Sequence, residues 1–200
     1  MDELAVAHIN ADMREGATQG VEEDQVARLE VFGLDRHQPG QLGLEMRPLT
    51  RDERREADHR GQVRFAVEHA LDHVWGYAVG LDMTRRDLQR ALGDEKKPWE
   101  IGKSFDKSAP IGAVHKVAQT GHFTQGDIWL KVNGQVKQKA DLKQMIWSVA
   151  EQIAKLSEAF ELFPGDIIYS GTPENVGPVV RGDVIEMHID GLPNLSVKIV

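Results

Sequence analysis

Cysteine is absent from the 200-residue chain, which removes disulfide bridges, a thiol nucleophile and a thiolate-held metal together. Positive charge is in deficit, with 24 Lys and Arg against 32 Asp and Glu and a formal net charge of −8. Such a chain carries no basic face for a phosphate-coated partner, so nucleic acid is not an expected ligand. No apolar run approaches the roughly 20 residues that cross a bilayer. The opening segment MDELAVAHINADMREGA lacks the basic stretch of a secretory signal. No membrane partner and a cytoplasmic location are therefore expected. Aromatic residues are sparse at 6%, and all but Phe32 lie beyond residue 62.

Lysine is missing from residues 1–62, which hold eight Arg and fourteen Asp and Glu for a net of −6; the remainder carries −2. Two unlike kinds of sequence meet near Gly61. Residues 1–60 form an atypical acidic, Arg-rich segment. Val21–Val31 suggests a short acidic helix, residues 33–43 are rich in turn formers, and residues 45–60 show neither strand nor helix periodicity. Composition favours a solvated or disordered segment, or a divergent one.

From residue 61 to 200 the signals sharpen into one domain, large enough for a core. Ala66–Val74 suggests a short helix and Val74–Leu81 a buried strand with Asp82 at its carboxyl end. Thr84 and Asp87 have the spacing of a capping box before a helix starting at Arg85. Asn133-Gly134 between two strand-like runs signals a hairpin. Lys143–Phe160 spaces Met145, Ile146, Val149, Ile153, Leu156 and Phe160 as one amphipathic helix. Asp166–Ser170, Asp183–Ile189 and Leu195–Val200 read as strands. The fold class expected is α+β and strand-rich.

Candidate chemistry falls in three clusters. Asp82 leaves a buried strand and could face a hard cation, while Arg86 and Gln89, three apart, share a helix face; the alternative is a capped helix with solvated arginines. Lys103, between Gly102 and Ser104, could hold an anionic ligand or be an ordinary loop lysine. Ser170–Pro178 gathers backbone N–H groups and the Thr172 hydroxyl at a strand end, either as a carboxylate cradle or as a structural loop. The eight histidines form no H-x-H or HExxH arrangement, which argues against zinc.

Five ordered blocks, HVWGYAVGLDMTRRDLQ (73–89), PWEIGKSFDKSAPIG (98–112), IWLKVNGQVKQ (128–138), DLKQMIWSVAEQIAKLSE (141–158) and PGDIIYSGTPENVGPVVRGDVIEMHIDGL (164–192), resemble the fumarylacetoacetate hydrolase family. Within it they are most similar to the fumarylpyruvate hydrolase and acylpyruvase-like branch. The resemblance implies a mixed β-roll with flanking helices, a homodimer, and a Mg2+ or Mn2+ ion that chelates a small 2-oxo-acid substrate. It implies Asp82 as a metal ligand, Arg86 and Gln89 as substrate-side residues, Lys103 as the catalytic lysine, and Thr172 as the contact to the substrate carboxylate. The activity implied is hydrolysis of a carbon–carbon bond in an acylpyruvate, such as fumarylpyruvate, in aromatic-compound breakdown. Alternatives are isomerisation or decarboxylation of a related 2-oxo acid, or a catalytically impaired member without a complete metal shell. Family members supply two further ligands as Glu-x-Glu on a strand; counting back from Glu68 reaches Arg51 and Glu53, and a guanidinium cannot ligate a cation. The family's lid, G-R-N-Y with a following His and Glu, has no counterpart in residues 1–60.

Overall fold

The computed structural model describes the backbone of Leu4–Ala7 and Asn10–Met13, and residues 64–200 in full. The predicted helix at Val21–Val31, the turn-rich and charged stretches after it, and Arg51 and Glu53 lie outside the described residues. The two short strands that open the chain, β1 (Leu4–Ala7) and β2 (Asn10–Met13), were not anticipated from local pattern. Four residues each is too short for periodicity to register, and both owe their state to pairing with distant segments.

After residue 64 come a short helix α1 (Val67–Ala70), a 3-10 turn, and strand β3 (Val74–Tyr77). The apolar run then bends, and β4 (Asp82–Arg85) begins as a separate strand. Helix α2 spans Arg86–Asp94, β5 is His115–Lys116, and α3 is Val117–Thr120. The hairpin β6 (Asp127–Val132) and β7 (Gln135–Asp141) turns through Asn133 and Gly134 at φ 50° and 78°. Both residues are left-handed there, as a two-residue turn of this type demands. Helix α4 (Val149–Ser157) follows, then β8 (Ile167–Tyr169), β9 (Pro178–Val179), β10 (Val184–Ile189) and β11 (Leu195–Lys198).

These strands make three sheets. One is antiparallel, ordered β11-β10-β6-β7; one is mixed, ordered β5-β3-β1-β8; a third is parallel, ordered β4-β2-β9. The fold is α+β and strand-rich, as the sequence indicates. A continuous core joins Leu81, Met83, Ile128, Leu130, Ile153, Val179, Ile185 and Met187, all buried. It seats α4 against the sheets through Val149 and Ile153.

Three local predictions need correcting. The strand over Val74–Leu81 ends at Tyr77, and Asp82 opens β4 instead of closing β3, because residues 78–81 bend away before pairing resumes with β2. Thr84 is not a helix cap: it is fully buried inside β4, and α2 starts at Arg86 with no side-chain cap bond at Arg85. Strand pairing with β2, where Asp12 stands opposite Thr84, outweighed the local capping pattern. The long amphipathic helix is also shorter. Asp141 and Gln144 cap a separate 3-10 turn at Leu142–Gln144, and Ser148 with Glu151 forms its own capping box where α4 begins. Ile146, between the two caps, is 95% exposed.

Candidate active site

The geometry around Asp82 follows from a strand-like crossing. Leu81 N–H donates to the Pro110 carbonyl and Met83 N–H to that of Ser108, each at 2.8 Å, and Gly112 N–H donates to Val79 at the same distance. Residues 108–112 therefore run antiparallel beside 79–83, and the loop leading into them is folded back over the start of β4. That loop carries Lys103, whose Nζ lies 2.6 Å from Asp82 Oδ2. Phe105 in the same loop stacks under the Arg85 guanidinium at 4.6 Å. The Asp82–Lys103 pair is part-buried, where the attraction between opposite charges exceeds that of a fully solvated pair.

Gly102 explains how the loop comes so close. A Cβ built on Gly102 would stand 2.9 Å from Gln89 Cβ and 3.2 Å from its Cα. The 3-10 turn at Glu100–Gly102 packs directly on α2 at Gln89. On the same face Arg86 donates to Gln89 Oε1 at 2.7 Å, so the two side chains form one preset polar unit.

Tyr169, at the end of β8, joins this neighbourhood. Its hydroxyl donates to the Ala109 carbonyl at 3.0 Å, on the crossing strand. Burial, and behind it the charge of Asp82, pushes the phenol up to about 12, so it stays a protonated donor. The loop after β8 carries Thr172 into the lining of a cleft of about 590 Å3 that Met145, Ile146 and Trp147 also line. Gln138 donates to Thr172 Oγ1 at 3.0 Å and to the Pro173 carbonyl at 2.7 Å.

The structure thus brings Asp82 against Lys103 and Arg86 against Gln89, and sets Thr172 on a cleft wall beside Gln138. Sequence reasoning missed Gln138 and Tyr169: a polar residue late in a hairpin strand and an aromatic inside an apolar strand both look structural. Among the described residues no three or more His, Cys, Asp or Glu side chains converge as a metal cage. Asp82 is an oxygen donor suited to a hard cation, and further ligands would have to come from elsewhere in the chain.

A family model for the C-terminal domain of fumarylacetoacetate hydrolase matches residues 58–200. The chain belongs to the fumarylacetoacetate hydrolase family. Among family members it is 43% identical to fumarylpyruvate hydrolase from Ralstonia, over 68% of this chain and 70% of that enzyme. It is 40% identical to human mitochondrial oxaloacetate tautomerase, over 65% of this chain and 59% of that one. A crystal structure of fumarylpyruvate hydrolase from Pseudomonas aeruginosa, in complex with Mn2+ and pyruvate, shares 53% identity and a TM-score of 0.66. That match covers 68% of this chain and 58% of the other. The chain thus spans 58–70% of the length of these three relatives. Asp82, Arg86, Gln89, Lys103 and Thr172 all lie inside the matched family region.

Proposed function

We propose that the chain hydrolyses the carbon–carbon bond of an acylpyruvate such as fumarylpyruvate, with Mg2+ or Mn2+ as cofactor. The observation that carries this reading is the Asp82–Lys103 pair, 2.6 Å apart, inside a family region shared with fumarylpyruvate hydrolases. A divalent cation at Asp82 would supply Lewis-acid stabilisation of the oxygen anion that forms beside the breaking bond.

In the reaction, water adds to the acyl carbonyl, the carbon–carbon bond breaks, and its electron pair passes to the three-carbon fragment as an enolate. Protonation of that fragment gives pyruvate, and the acyl part leaves as a carboxylic acid. In this reading Lys103 orients the water and offsets the growing negative charge at the Asp82 end, which its contact with Asp82 supports. Arg86, held by Gln89, offers a planar fork for a substrate carboxylate, and Thr172 offers a hydroxyl to the carboxylate of the pyruvyl end. A homodimer is the assembly proposed from the family resemblance.

One carboxylate holds Mg2+ poorly. Further carboxylate ligands are needed to complete the shell of a hard cation.

Calorimetric titration with Mn2+, followed by loss of fumarylpyruvate absorbance, tests the proposal. Binding with turnover is expected, and Asp82→Ala should abolish both. A folded protein showing neither would overturn the enzymatic reading and leave an impaired family member. The similarity to oxaloacetate tautomerase supports a second reading, keto–enol isomerisation of a 2-oxo acid. Faster decay of enol-oxaloacetate with no cleavage of fumarylpyruvate would favour it.

A further inference from the structure

Gln138 occupies a position that strand alternation does not predict. β6 and β7 pair Val132 with Gln135 and Lys131 with Val136, and then the register slips so that Leu130 faces Gln138. The extra residue in β7 is Lys137, and such a bulge turns the residues beyond it to the opposite face. Val136 is left exposed, whereas Gln138 is turned inward with Leu130 and is only 1% exposed.

The amide so buried is aimed at one target. Its Nε2 lies 2.7 Å from the Pro173 carbonyl, 3.0 Å from Thr172 Oγ1 and 3.3 Å from the Glu174 carbonyl. Its Oε1 is buried with no hydrogen-bond partner among the described residues. Turning the amide over would set that oxygen against two carbonyl oxygens, so the orphaned acceptor is retained to keep the N–H groups on the loop. The anchored stretch Thr172–Glu174 is bracketed by Gly171 at φ 113° and Asn175 at φ 70°. Both flanking residues depart from ordinary backbone, and the amide between them fixes where the loop sits.

We propose that Gln138 is a positioning residue that presents the Thr172 hydroxyl as a donor to the carboxylate of a 2-oxo acid, an inference that rests on the function proposed above. A hydroxyl has one hydrogen. With a lone pair of Oγ1 accepting from Gln138, that hydrogen is turned away from Gln138, and the accepted bond polarises it into a stronger donor. The same amide holds the two following carbonyls, so the hydroxyl is fixed in place as well as in direction.

The test uses the full chain with Mn2+ and pyruvate as the probe, read by calorimetry and by melting temperature, with kcat and KM measured on fumarylpyruvate. Gln138→Met and the size-matched Gln138→Glu should each weaken pyruvate binding and raise KM about tenfold, the order expected when a hydrogen bond to a charged group is lost, with a smaller change in kcat. Thr172→Val should do the same, and the double variant Gln138→Met/Thr172→Val should be no worse than either alone. Ile153→Val, in the buried core, should lower the melting temperature without changing pyruvate affinity. If Gln138→Met does not fold, Gln138→Glu carries the comparison. Unchanged pyruvate affinity in a folded Gln138 variant, or fully additive effects with Thr172→Val, would overturn the inference while leaving the hydrolase reading intact. A wild-type chain that binds Mn2+ and pyruvate yet leaves fumarylpyruvate uncleaved would overturn only the hydrolase reading. Failure of the wild type to bind pyruvate would overturn both.

Discussion

At the scale of single residues, the site depends as much on what is missing as on what is present. Gly102 has no side chain, and that absence lets the Lys103 loop rest on Gln89. Gly102→Ala should force the loop from α2, since backbone atoms as well as Gln89 Cβ stand within 3.3 Å of the new methyl. Overpacking of this kind costs about 1–3 kcal/mol. We expect a melting temperature several degrees lower and weaker Mn2+ binding, measured by thermal denaturation and calorimetry. Lys103→Met keeps the length of the side chain and removes its charge; turnover on fumarylpyruvate should fall by about 10²–10⁴-fold with folding retained. Asp82, Arg86, Gln89 and Lys103 were legible in the sequence because they stand in motifs that resemble the family's. Arg86 meets Gln89 across one helical turn, whereas the approach of Lys103 to Asp82 spans β4, α2 and a 3-10 turn and is set by tertiary packing. Gln138 was not legible. Its inward direction comes from a one-residue slip between β6 and β7, and nothing in the sequence Gln135-Val136-Lys137-Gln138 announces a bulge.

At the scale of elements, caps and partners set the boundaries more than hydrophobic period does. The hairpin is legible because Asn133-Gly134 stands between two strand-like runs and its turn requires two left-handed residues. Apolar spacing predicts one helix over 143–160 because it continues through Met145 and Ile146, while the Ser148–Glu151 box starts the helix at Val149. Ser148 N–H donates to Glu151 Oε2 at 2.7 Å and holds that carboxyl below its usual value of 4.5. A lowered folded-state value means the bond stabilises the protein above about pH 4.5 and is lost as the pH falls further. Asp190, held low chiefly by the Asp127 N–H and then by His188, behaves alike. Thermal melts across the acid range should therefore show stability falling below pH 4.5, and Glu151→Gln should flatten part of that fall; an unchanged slope would refute the assignment.

At the scale of the whole molecule, the composition break near Gly61 is not where the fold begins. The family-like region was legible through five ordered blocks, but two of the three sheets are completed by strands from the first thirteen residues. β1 sits between β3 and β8, and β2 between β4 and β9. Their four-residue length and distant partners hid them from any reading by pattern. Removing residues 1–13 should strip the middle strand from both sheets and leave β3, β8, β4 and β9 with unpaired edges, a direct route to aggregation. Size-exclusion chromatography and circular dichroism should show soluble aggregates and lost strand signal; a monodisperse, fully folded truncation would contradict the pairing.

That arrangement also sets an order of assembly. The strand at residues 4–7 needs one neighbour from 74–77 and another from 167–169. It is synthesised before either partner and cannot be flanked on both sides until residues 167–169 have been made. Contacts so far apart in sequence close slowly. The early strand must therefore wait, exposed, for its last partner, and folding yield should depend on how well the cell keeps it from pairing with other chains in the interval.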